Sequence, residues 1–98
     1  MNVNSIPLIS IIIPTYNRKS DLIRAIDSVI SQSYTNWELI IVDNNSEDGT
    51  EEYIQSLNSP RIKFFTLNNN GLIAYSRNKG IEYSNGKYIA FLDSDDWW

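Results

Sequence analysis

No cysteine and no histidine occur in the 98 residues. The first absence excludes disulfides and thiolate metal sites, and the second removes the commonest neutral-pH base and the usual zinc ligand. Any metal bound here would sit on oxygen. Basic residues are also scarce. Eight Lys and Arg stand against twelve Asp and Glu, for a net charge of −4, and their scatter leaves no electrostatic footprint for nucleic acid. Long apolar runs are missing too: a membrane span needs roughly 20 such residues, and the longest runs here are a handful. The leader MNVNSIP lacks a basic stretch followed by an apolar one, so the expected setting is cytoplasmic, with the inner face of a membrane as a variant. Neither GxxxxGK[ST] nor GxGxxG is present, so a phosphate would not be held by the amides of a glycine loop.

What the sequence has is a soluble globular composition, 42% hydrophobic and 20% charged, enough for one modest core in a single domain over residues 1–98. Leu8 to Ile13 is a β-branched run ended by Pro14, which predicts a strand buried on both faces. Leu22, Ile26, Val29 and Ile30 then recur at helical spacing behind Ser20 as N-cap. Trp37 to Val42 predicts a second buried strand. DNNSEDG is dense in turn formers ahead of a short helix, TEEYIQSL. Arg61 to Leu67 carries charges suited to a sheet edge. GLIAYSRNKGIEYS predicts a third helix, and Lys87 to Leu92 a fourth strand. Alternation of this kind implies an α/β fold: a Rossmann-like parallel sheet of about four strands, order 3-2-1-4, with helices on both faces.

In such a sheet all strand tails point to one edge, where ligands bind. Three polar clusters follow strand tails: Pro14-Thr15-Tyr16-Asn17, Asp43-Asn44-Asn45-Ser46 and Asp93-Ser94-Asp95-Asp96. Each alone is an ordinary turn. Together on one rim they suggest a site. In an extended DSDD segment Asp93 and Asp95 share one side, a hard oxygen pair suited to Mg²⁺ or Mn²⁺ bridging to a diphosphate. Asp96 faces the other way, as an N-cap or turn acceptor. Pro14 and Tyr16 could sandwich a flat base, with Asp43 or Asn44 accepting from a ring N–H or a ribose hydroxyl; alternatively Tyr16 simply covers the following helix. Arg77 and Asn78 share a helical stripe with Ala74 and Ile81 that is expected to face inward. A charge there needs a partner, either a diphosphate or an internal ion pair with Asp43 or Asp93.

Four blocks, SIIIPTYNR, ELIIVDNNSEDGT, NNGLIAYSRNKGIE and GKYIAFLDSDD, resemble in this order the N-terminal nucleotide-sugar-binding half of a family 2 glycosyltransferase with the GT-A fold. The resemblance implies transfer of a sugar from a nucleoside diphosphate donor, UDP-sugar in the first instance, to an acceptor hydroxyl with inversion. It implies that Pro14, Thr15 and Tyr16 border the base and that Asp43 or Asn44 reads uracil. It further implies that Arg77 and Asn78 support the nucleotide, that Asp93 approaches the ribose or the metal, and that Asp95 coordinates Mn²⁺ or Mg²⁺. Many members carry a second acid where this chain has Asn44. In the family the general base and the carbohydrate or lipid-linked acceptor site follow the DxD segment, so both are expected beyond Trp98, making the chain a truncated GT-A portion. Two other readings compete: a non-catalytic module that dimerises through Trp97 and Trp98, and a nucleotidyltransferase, for which Arg18 and Lys19 are the only first-loop cations.

Overall fold

The computed structural model describes residues 8–67 and 73–93. Seven elements alternate: β1 (Ile9–Thr15), α1 (Lys19–Ser31), β2 (Trp37–Asp43), α2 (Thr50–Leu57), β3 (Ile62–Thr66), α3 (Ile73–Tyr83) and β4 (Tyr88–Phe91). The four strands form one sheet in the order β3-β2-β1-β4, every pair parallel. The expected order is borne out, and β3, with Lys63 inside it and Arg61 just before it, lies at an edge.

The continuous apolar runs of β1 and β2 are explained by cover on both faces. On one face Ile11, Ile13, Leu39 and Ile41 pack with Leu22, Ala25, Ile26 and Val29 of α1 and Ile54 of α2. On the other, Ile12, Ile40 and Val42 form a smaller cluster with Phe65, whose ring stacks on Tyr83 of α3 at 3.9 Å. Among the described residues no helix is long and apolar enough to cross a membrane.

Several local expectations are corrected. Ile30 is 53% exposed; Ala25, one turn after Leu22, takes the buried place instead. Helix α1 begins at Lys19, not behind Ser20, because its first amide is capped from a distant loop: Lys19 N–H donates to Asp48 Oδ2 at 2.9 Å. The inward face of α3 is not the Arg77, Asn78 and Ile81 stripe. Asn78 and Ile81 are exposed, and among the α3 residues whose side chains are described the buried positions are Ser76 and Gly80. The side chain of Ala74 lies outside the described residues. Small residues win this face because the helix crosses close over β1. A Cβ on Gly80 would stand 2.4 Å from Ile12 Cγ2, far inside contact distance.

That contact decides between two opposed effects. Gly80→Ala gains up to about 1 kcal/mol of helix propensity, while forcing a methyl into a packed core costs about 1–3 kcal/mol. The expected outcome is net destabilisation in chemical denaturation. The double variant with Ile12→Ala, which removes the obstructing methyl, should lose less than the sum of the two single changes.

Strand β1 also runs two residues past its expected end. Pro14 pairs in register with Val42 and Thr15 with Asp43, and the Thr15 carbonyl accepts the Asn44 amide at 2.9 Å. Alternate residues of a parallel strand bond to opposite neighbours. Thr15 faces β2, so Pro14 faces β4, as Ile12 does when its carbonyl accepts the Leu92 amide at 3.0 Å. Proline has no N–H to give, so the β1·β2 ladder is untouched while the β1·β4 ladder stops at Ile12 and Phe91.

At the opposite end of the sheet sits a buried polar network. Glu38 Oε2 accepts the Ser10 hydroxyl and the Asn85 amide, both at 2.6 Å. Its Oε1 faces Lys63 Nζ at 2.8 Å. The Gly86 amide donates to Ser10 Oγ at 2.7 Å, and Lys87 N–H to the Leu8 carbonyl at 2.9 Å. The α3–β4 connection is thereby stapled to the base of β1, which fixes the level at which β4 starts and hence where its tail emerges.

Candidate functional site

The tails of β1 and β2 come out side by side. Thr15 and Asp43 are register partners, and strand alternation places both on the face covered by α1 and α2. Asp93 follows β4 at the level of Pro14. The first, second and fourth strand tails therefore open on a common rim. Asp95, with Ser94, Asp96, Trp97 and Trp98, lies outside the described residues.

Asp43 is buried, 2% exposed. Its Oδ2 accepts the Ser46 amide at 2.8 Å, and its Oδ1 the Ser46 hydroxyl. Burial pushes its carboxyl above the ordinary aspartate value, and the charge of nearby Asp48 adds to this, although the two Ser46 bonds pull the other way. Asn44 is buried beside it, Pro14 is buried, and Tyr16 stands exposed at the lip. On the β4 side, Arg77 Nη2 meets Asp93 Oδ1 at 3.0 Å, with the guanidinium 5.6 Å from the Phe91 ring centre. Of the two partners open to Arg77 within the chain, the structure selects Asp93. Both side chains are close to half exposed, so the pair is worth little to stability and can exchange for a ligand.

Among the described residues, two buried side-chain polar atoms have no hydrogen-bond partner, Thr15 Oγ1 and Arg77 Nε. Each such atom costs on the order of 1–3 kcal/mol, and both belong to this rim. The donor chemistry fits a hard divalent cation: Asp93 offers carboxylate oxygen at the mouth. Among the described residues no cluster of three or more acids gathers to enclose a metal by itself.

One feature of the rim is not anticipated by the sequence reading. The loops after β1 and β2 are clamped together. Asn17 N–H donates to Ser46 Oγ at 2.8 Å, and the Asn17 side chain accepts the Glu47 amide at 2.8 Å. Asp48 accepts the Lys19 amide through one oxygen and the Thr50 hydroxyl through the other. Burial tends to raise the Asp48 carboxyl, but these bonds outweigh it and hold the group below its ordinary value. Asn17 and Asn45 adopt positive φ, 48° and 59°, which asparagine tolerates better than most residues. Asn, Ser and Asp are the signal, since they bond backbone readily. Sequence proximity suggests partners two or three residues away, whereas several of the actual partners are about thirty away.

The model of "Glycosyl transferase family 2" matches residues 10–98. A Bacillus subtilis glycosyltransferase named for teichuronic acid biosynthesis, TuaG, is 44% identical over 94 residues, which is 94% of this chain and 37% of that protein. An Escherichia coli protein, the UDP-Glc:alpha-D-GlcNAc-diphosphoundecaprenol beta-1,3-glucosyltransferase WfgD, is 42% identical over 93% of this chain and 36% of its own length. The chain thus spans little more than a third of these relatives. Among solved structures, S. aureus TarS 1-349 in complex with UDP superposes with a TM-score of 0.83 at 29% identity, covering 91% of this chain and 28% of TarS 1-349. The sheet order and this superposition bear out the GT-A fold.

Proposed function

The chain belongs to glycosyl transferase family 2, and from that premise we propose that it is the donor-binding portion of an inverting transferase that takes a sugar from UDP-sugar with the help of Mn²⁺ or Mg²⁺. The observation that carries this reading is the common rim on which the tails of β1, β2 and β4 open, with the buried Asp43 carboxylate, the exposed Tyr16 and the exchangeable Arg77–Asp93 pair along it. Tyr16 and Pro14 cover the faces of the base. Asp43, with Asn44 beside it, accepts the ring N–H. Arg77 leaves Asp93 to meet the diphosphate, Asn78 supports the nucleotide from the same helix, and Asp93 and Asp95 hold the cation. The UDP bound by TarS and the UDP-Glc in the name of WfgD favour uracil as the base.

In the reaction the acceptor oxygen bonds to the anomeric carbon as the bond from that carbon to the diphosphate breaks, and the acceptor proton passes to a base that we assign to none of these residues. The cation, when bound, neutralises charge developing on the leaving diphosphate. The teichuronic acid biosynthesis in the name of TuaG and the alpha-D-GlcNAc-diphosphoundecaprenol in the name of WfgD favour a carbohydrate or lipid-linked acceptor.

Calorimetry with UDP tests the site. Saturable binding should appear with Mn²⁺ and weaken at least tenfold when the metal is chelated. Asp95→Ala should make binding insensitive to the metal. No heat with UDP and Mn²⁺, or an Asp95→Ala variant indistinguishable from the parent, would refute the assignment.

A further inference from the structure

We propose that Ser46 is a positioning residue for nucleobase recognition: it fixes the Asp43 carboxylate and ties it to the loop that carries Tyr16. The inference rests on the donor-site reading above and adds to it the device that registers one side of the base pocket against the other.

The geometry is a short relay. Ser46 gives its amide to Asp43 Oδ2 and its hydroxyl to Oδ1, so both carboxylate oxygens are held by one residue. The same hydroxyl oxygen accepts the Asn17 amide at 2.8 Å. With a lone pair occupied by that N–H, the hydroxyl proton is directed at Asp43. The carboxylate is thereby presented as an acceptor with lone pairs left over, since each oxygen can take two hydrogen bonds. A base offering a ring N–H at that edge is matched, and a base offering a lone pair there is not. Asn17 directly follows Tyr16, and its side chain returns a bond to the amide of Glu47, the neighbour of Ser46. The backbone that carries Tyr16 and the edge-reading carboxylate are therefore joined through hydrogen bonds before any ligand arrives, and pre-set groups of this kind lose less on binding than groups that must be ordered by the ligand.

A merely structural serine would weaken every ligand of the rim equally. A positioning serine acts on the base alone. The test is calorimetry on the full chain with Mn²⁺, comparing UDP with inorganic diphosphate. Ser46→Ala is expected to weaken UDP about tenfold with diphosphate affinity unchanged, and Ser46→Thr, which keeps the hydroxyl, to recover most of the loss. Should the alanine variant fail to fold, Ser46→Cys, near in size but a weak donor, reads the same ratio. Equal weakening of both ligands, or no weakening of UDP, overturns the proposal. A parent chain that binds UDP no better than diphosphate overturns the base-reading itself and the proposal with it, and that failure is visible before any variant is made.

Discussion

Asp43→Ala is expected to weaken UDP binding by about 30- to 1,000-fold, the range for truncating one partner of a desolvated, charge-assisted hydrogen bond, about 2–4 kcal/mol. Stability should move little, or rise near neutral pH. The sign follows from the carboxyl's raised value. A folded-state pKa above the unfolded one favours the protonated form, so the contribution is present at low pH and is lost as pH rises through the folded value. At neutral pH the parent chain therefore carries a charged carboxylate in a place that disfavours it. Removing the charge relieves that cost while abolishing the acceptor. UDP affinity of the parent should correspondingly fall on the acid side with a midpoint above 3.8, the ordinary aspartate value. Burial, which pushes the midpoint up, the Ser46 bonds, which pull it down, and the charge of Asp48, which adds to the rise, set its position. Affinity of the alanine variant should lack the Asp43 component of this fall and keep only the part that comes from the phosphate and the metal-binding carboxylates. Titrations at several pH values, with thermal melts alongside, check both halves. A variant that loses stability and affinity together would mark Asp43 as a structural acid.

Glu38→Ala is expected to cost about 3 kcal/mol, a large share of the stability of a domain this size. The loss leaves the Ser10 hydroxyl and the Asn85 amide without their acceptor. Lys63 is a third exposed and can turn to water, so Lys63→Ala should cost clearly less. The pH behaviour is opposite to that of Asp43. Burial tends to raise the Glu38 carboxyl, but the bonds from Lys63, Ser10 and Asn85 prevail and hold it below 4.5. Its contribution is therefore complete above that value and disappears as pH falls through the lowered one. Denaturant titrations down the acid limb should show the parent losing this increment and Glu38→Gln losing less. Because the network sets the start of β4, variants that survive should also bind UDP more weakly, through a displaced Asp93.

How much of this was legible in the residues depends on how local the deciding physics is. Burial of β1 and β2 on both faces shows in LISIII and WELIIV, since no half-solvated strand tolerates such runs. The edge position of β3 shows in its charges. Order 3-2-1-4 follows from short right-handed crossovers once the elements are known. The existence of helix α3 shows in its spacing but its inward face does not, because hydrophobic spacing points to large residues while the described inward positions are Ser76 and Gly80, the latter pressed against Ile12. The same preference for bulk put Ile30 in the core. The loop clamp was invisible for a different reason: Asn17, Ser46 and Asp48 bond across about thirty residues, and nothing in either loop names the other. The Arg77 to Asp93 pair was foreseen only as one of two alternatives, because the choice depends on where β4 ends.

That ending traces to Pro14. A residue with an amide hydrogen there would offer the Leu92 carbonyl a partner and let the two strands zip on by a further rung. The parting of β4 from β1 is thus written into one covalent ring and calls for no moving part.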